Sequence, residues 1–128
     1  MGNKQHHLAM IQGIINRLAS NSAGLKHWMV LVFVGTMFFV SREPRLARDL
    51  GWAFVIPVMA FWFVDAVYLR NERDFRKLYR KVEKQPEHEI DFSMTRPTKG
   101  SILKGMFSVT VCPIYGAVLV SLVLLFIW

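Results

Sequence analysis

Three stretches of the chain carry no Asp, Glu, Lys or Arg: residues 27–41, 50–64 and 105–128. The first two are 15 residues long and the third is 24. Runs of this kind suit helices in lipid, where a span needs about 20 apolar residues. They predict three membrane helices, over residues 25–40, 50–69 and 102–128. The first is short, and Lys26 at its start can snorkel to the interface. Trp28 beside it fits an aromatic belt. Pro57 predicts a kink in the second span, and Pro113 predicts a bend in the third.

Between the runs the pattern changes. Leu8, Ile11, Ile14, Ile15 and Leu18 recur at helical spacing, with Gln12, Asn16 and Arg17 on the other side. This predicts an amphipathic helix over residues 8–20, lying flat in the membrane interface. Packing in a small cytoplasmic core is the alternative. Asn21, Ser22 and Gly24 read as a turn and helix restart. The polar residues 41–49, with Pro44, predict a tight turn between antiparallel spans. Phe75, Leu78, Tyr79 and Val82 continue the helical period beyond the second span, so that helix should run on to about residue 84. Residues 85–101 hold Pro86, Pro97 and Gly100 and should form a loop. Alternation at Ile90, Phe92 and Met94 allows a short extended piece there. The expected fold is an all-α membrane protein: three spans, an interfacial N-terminal helix and a cytoplasmic extension of the second span, in one domain of 128 residues.

Charge sets the orientation. Of sixteen Lys and Arg, ten lie in residues 70–104. With Lys4, Arg17 and Lys26 they outnumber Arg42, Arg45 and Arg48 on the other side. Positive charge marks the cytoplasmic face, so the N-terminus and the 70–104 segment should be cytoplasmic and the C-terminus outside, in a plasma membrane. The net charge of +7 and pI near 10.0 would otherwise suggest nucleic acid. Because the cations flank apolar spans, they read instead as juxtamembrane residues, and no nucleic-acid partner is expected. Residues 1–7 are polar with no apolar h-region after them, so no signal peptide is expected. His6 stands where myristoylation wants Ser or Thr.

Few residues offer chemistry. Asp65 is the one acid within a span, about 7 Å below the boundary at Arg70. An acid at that depth wants a partner. Lys26, His27, Tyr68 and Lys104 share its level and should surround it. An ion pair fixing helix packing is the plain reading, and a proton or ion site is the other. Gly105, Ser108, Cys112 and Gly116 put small residues on one face of the third span, for packing within the chain or for a seam between copies. Arg70, Arg73, Arg76, Lys77, Arg80 and Lys81 should meet a cytoplasmic partner or lipid headgroups. The single cysteine allows no internal disulfide. His6–His7 and Glu87–His88–Glu89 lack a metal spacing and read as solvated, so no metal or cofactor is expected. No nucleophile elbow, phosphate loop or paired carboxylates appear, and no enzyme is expected.

Two segments, IQGIINRLASNSAGLKHW (residues 11–28) and FWFVDAVYLRNERDFRKLY (residues 61–79), followed by DFSM (residues 91–94), resemble a family of small bacterial inner-membrane proteins. The likeness covers about half the chain. In layout that family resembles the two-span effectors of anti-phage defence systems, with an N-terminal helix, a tight membrane hairpin and a cytoplasmic helix. The resemblance implies a non-enzymatic protein that self-assembles or answers a cytoplasmic partner, and it implies no catalytic residues. The alternatives are a structural subunit or anchor of a larger complex, and a small ion or proton-coupled transporter using Asp65.

Overall fold

The computed structural model describes residues 2–94 and 102–127. Within them lie four α-helices and one 3₁₀ turn, with no strand. Helix α1 spans Asn3–Arg42 and α2 spans Pro44–Lys84. At 1.5 Å per residue each is about 60 Å long, twice the thickness of a bilayer core. Both contain a segment long and apolar enough to cross a membrane.

Helix α1 corrects two expectations. The restart at Asn21–Ser22–Gly24 is absent, because α1 runs through it unbroken. Ser22 turns its hydroxyl to Asp65 rather than to its own backbone, which removes the competition that makes serine a helix breaker. Gly24 meets nothing that a side chain would strike and costs the helix only about 1 kcal/mol. Residues 8–20 are therefore not a separate interfacial helix. Ile11 and Ile15 are buried against Leu78, Val82 and Ile90, so this segment packs in a small core, as in the alternative given above.

The turn is tighter than expected. Only Glu43 separates α1 from α2. Pro44 opens α2, where its missing N–H falls among groups that have no helical partner anyway. Arg45, Arg48 and Asp49 thus sit on the first turns of α2 rather than in a loop. The backbone N–H of Glu43 donates to the Phe39 carbonyl at 2.9 Å and closes the end of α1. Helix α2 continues through Pro57 to Lys84. The two helices keep one register throughout. Ser22 meets Asp65, and Lys4 Nζ donates to the Glu83 carbonyl at 2.9 Å. These pairs share one sequence sum, so the antiparallel pairing does not slip between them.

After the turn Glu87–Glu89, the chain returns to the helix pair. Ile90 is buried and Met94 packs on the same cluster. Phe92 instead meets the edge of His7, with ring centroids 5.4 Å apart. The alternation here reflects docking of single side chains and not a strand.

The third apolar run is broken. Helix α3 is Ile102–Met106 and α4 is Cys112–Ile127, with turns between them. The break falls one turn before Pro113, not at it. A proline in the first turn of a helix has no preceding turn to clash with, and Pro113 takes that place in α4. Ser108 Oγ accepts from the Val111 N–H at 3.3 Å, and Trp62 Nε1 donates to the Met106 carbonyl at 3.0 Å. Groups freed by the break are thereby satisfied. Helix α4, with 16 residues, packs on α1 and α2 through a second core of Met29, Val58, Val111, Tyr115 and Leu122. Near the Glu43 turn, Phe54 stacks on Phe126 and meets Phe39 at a tilt. A side-chain carbon on Gly51 would sit 2.8 Å from the Phe126 ring, so only glycine allows α4 this close.

Candidate functional site

The two cores are separated by a polar layer. Asp65, on α2, is fully buried with 0% exposure. Lys26, on α1, places Nζ 2.7 Å from Asp65 Oδ2. Side chains on a helix lean toward its N-terminus, so Lys26 reaches back one turn to the level of Ser22. There Nζ also donates to Ser22 Oγ at 2.9 Å. Ser22 Oγ in turn donates to Asp65 Oδ1. The result is a closed three-membered ring of charge-assisted contacts, the stronger kind.

Helix α3 covers this layer. Gly105 lies on Ala66, where an added side-chain carbon would stand 2.9 Å from the Ala66 carbonyl oxygen. Ala66 directly follows Asp65 and is fully buried. From α4, Tyr115 is also fully buried, and its hydroxyl faces the Asp65 carboxylate without a well-formed hydrogen bond among the described residues.

The expected polar cluster is thus smaller and differently composed. Lys26 and Asp65 meet. His27 and Lys104 are exposed, and Tyr68 is half-buried one turn along α2. His27 follows Lys26 by 100° around the helix and so faces away. Lys104 sits beside Gly105 on a helix that presents its small residue inward. Ser22 and Tyr115 were missed. Ser22 stands four residues before Lys26, on the same face, and that spacing was its available signal. Tyr115 carries a hydroxyl within the long uncharged run, and a polar group there also wants a partner.

The small-residue face divides. Gly105 and Ser108 are buried within the chain, so they serve internal packing and are not free to form a seam. Cys112 and Gly116 are half-buried, and the space over Gly116 is open. Along α2, Arg73, Arg76, Lys77, Arg80 and Lys81 are exposed and Arg70 is half-buried. Arg76 is tied to Glu72 at 2.8 Å. His7 corrects another expectation. It is not solvated but buried, at 2% exposure. His6, His88, Glu87 and Glu89 are exposed, and the described residues hold no group of three metal-ligating side chains. Asp91 accepts from the Ser93 N–H at 3.0 Å and from its hydroxyl at 2.9 Å. These bonds favour the charged form and hold its carboxyl below the usual range.

Chemically, the layer locks α1 to α2. The Ser22 hydroxyl both donates to the carboxylate and accepts from the ammonium, so it is not poised to attack anything. These features define an all-α protein with two helices of membrane-crossing length and a buried ion pair between two cores. No protein-family model, curated protein or solved structure matches the chain. The resemblance described above therefore rests on its two segments alone.

Proposed function

We propose that the chain is a small, non-enzymatic, multi-pass protein of a bacterial inner membrane that acts by self-assembly when a cytoplasmic partner engages its basic helix. In its concrete form it is a defence-type effector that perturbs the bilayer. The observation carrying the membrane reading is exposed apolar surface on both long helices. Trp28, Leu31, Val34 and Phe38 on α1 and Trp52, Ile56 and Phe63 on α2 are all exposed, Trp52 to 82%. A soluble monomer rarely shows so large an apolar surface, whereas lipid covers it without cost.

In this reading α1 and α2 cross the bilayer, α3 and α4 form a third, broken crossing, and the N-terminus and residues 70–94 are cytoplasmic. The matched register puts Arg17 and Arg70 at one level, which suits a single membrane boundary. Beyond it the paired helix ends form a stalk about 22 Å long. Overexpression of the chain tests the function, because a high concentration in the membrane drives self-assembly by mass action without the partner. An effector arrests growth and collapses the membrane potential, and a silent chain overturns that form of the proposal. A silent chain would favour the anchor reading, which draws support from the closed Lys26–Asp65–Ser22 ring.

A further inference from the structure

The stalk carries a feature that the membrane does not explain. Arg73, Lys77, Arg80 and Lys84 recur at steps of four, three and four, and all are exposed. That spacing places them on one stripe of α2. The buried Leu78 and Val82 occupy the opposite side, toward Ile11 and Ile15 of α1. Among the described residues none of the four cations makes an ion pair, although Glu72 binds Arg76 close by. An orientation signal depends on the number of cations near a span. It does not require them to line up.

Height decides what the stripe can meet. If the boundary lies at Arg70, then Arg73 stands about 5 Å above it, Arg80 about 15 Å and Lys84 about 21 Å. A helix tilted by about 20° loses only a few per cent of that height. The Debye length at physiological salt is about 8 Å. The far half of the stripe is therefore screened from headgroups of the protein's own membrane. Nucleic acid fits poorly too. Single strands are held by aromatic side chains between cations, and here Phe75 and Tyr79 pack inward on the cytoplasmic core.

We infer that the stripe Arg73–Lys77–Arg80–Lys84 is a docking face for an acidic protein segment, one carrying carboxylates at helical spacing. This rests on the proposed cytoplasmic side of the stalk and names the partner chemistry for that surface. Four aligned cations over about 16 Å match an acidic helix laid alongside. Such charge complementarity gives specificity and a fast on-rate.

The test uses the full chain in nanodiscs of zwitterionic lipid, with a fluorescein-labelled poly-glutamate peptide as probe and anisotropy as readout at about 0.15 M salt. The triple variant R73Q/K77Q/R80Q is compared with R17Q/R76Q/K81Q, which loses the same charge off the stripe. Gln is a good helix former, and circular dichroism verifies that both variants fold. The expected result is about a tenfold loss for the stripe variant, the effect of three exposed charge pairs, and less than about threefold for the other. Equal losses would mean that net charge alone binds the probe and would overturn the inference. So would displacement of the peptide by anionic lipid in the nanodisc, or tighter binding of single-stranded poly-uridylate than of poly-glutamate. Growth and membrane potential are read on the same variants. A stripe variant that keeps peptide binding counts against the stripe whatever its toxicity, and a parent chain that binds the peptide without being toxic counts against the effector reading alone.

Discussion

Replacing Lys26 by Met removes the cation 2.7 Å from Asp65 and leaves a carboxylate at 0% exposure with the Ser22 hydroxyl as its remaining close donor. Breaking a buried pair in this way costs about 3–5 kcal/mol, because the surviving charge is uncompensated. The reverse variant, Asp65→Leu, should cost less. Lys26 keeps 24% side-chain exposure, and its long stem can carry the ammonium to water. The double variant Lys26→Met/Asp65→Leu replaces the pair by apolar groups of similar size and should lie within about 1 kcal/mol of the parent, or above it. The expected order is therefore K26M least stable, then D65L, with the double variant restored. Unfolding by sodium dodecyl sulfate in mixed micelles, followed by circular dichroism, measures all three. If the two single costs simply add in the double variant, Lys26 and Asp65 do not act as a pair, and the polar layer is not what locks α1 to α2.

Other expectations follow from the same packing. Gly105→Val should unseat α3, since even the first side-chain carbon would stand 2.9 Å from the Ala66 carbonyl; a cysteine cross-link between α3 and α2 would then form more slowly, and an unchanged rate would count against the close approach. Ile11→Ala should cost about 2–5 kcal/mol as a buried aliphatic truncation, whereas an interfacial helix would lose membrane affinity with little change in unfolding. The Asp91 carboxyl is held below its usual range by Ser93, so the turn keeps its bonds above the unfolded carboxylate value and loses them as pH falls through the lower folded one. The Ser93 amide shift in an NMR titration should report that midpoint, and one at the ordinary aspartate value would refute it.

How much of this was legible in the sequence varied by element. Helix α2 was readable almost to its end, because Phe75, Leu78, Tyr79 and Val82 carry the helical period past the span without a breaker. The continuity of α1 was not. Ser22 and Gly24 are turn residues by local chemistry, and only the partner helix shows that the Ser22 hydroxyl is needed elsewhere. Pro113 read as a bend within one continuous third span, whereas the helix stops before it. The interruption lies on the preceding turn, where proline's clash acts. The Lys26–Asp65 pair followed from the cost of an acid in lipid, but depth alone also drew in His27 and Lys104. Depth fixes a level along the axis, and facing requires the angle around it. His7 was misjudged for the same reason: a histidine in a polar terminus looks wet until Phe92 folds back over it.

The single residue Glu43 joins two helices that otherwise run unbroken for their full length. Mechanically this is a pair of tongs with its pivot at one end. Helices are stiff over such distances, so a force prising the free tips apart is not absorbed locally. Displacement falls off in proportion to distance from the pivot, and Asp65 lies roughly halfway along α2 from Glu43. A separation imposed at Lys84 therefore arrives at the ion pair at about half its size. A 3 Å contact fails once its partners move apart by roughly 1–2 Å, so a few ångströms of splay at the tips would open the ring. The Lys26–Asp65–Ser22 layer is thus placed as a latch, its release set by leverage from the distal end.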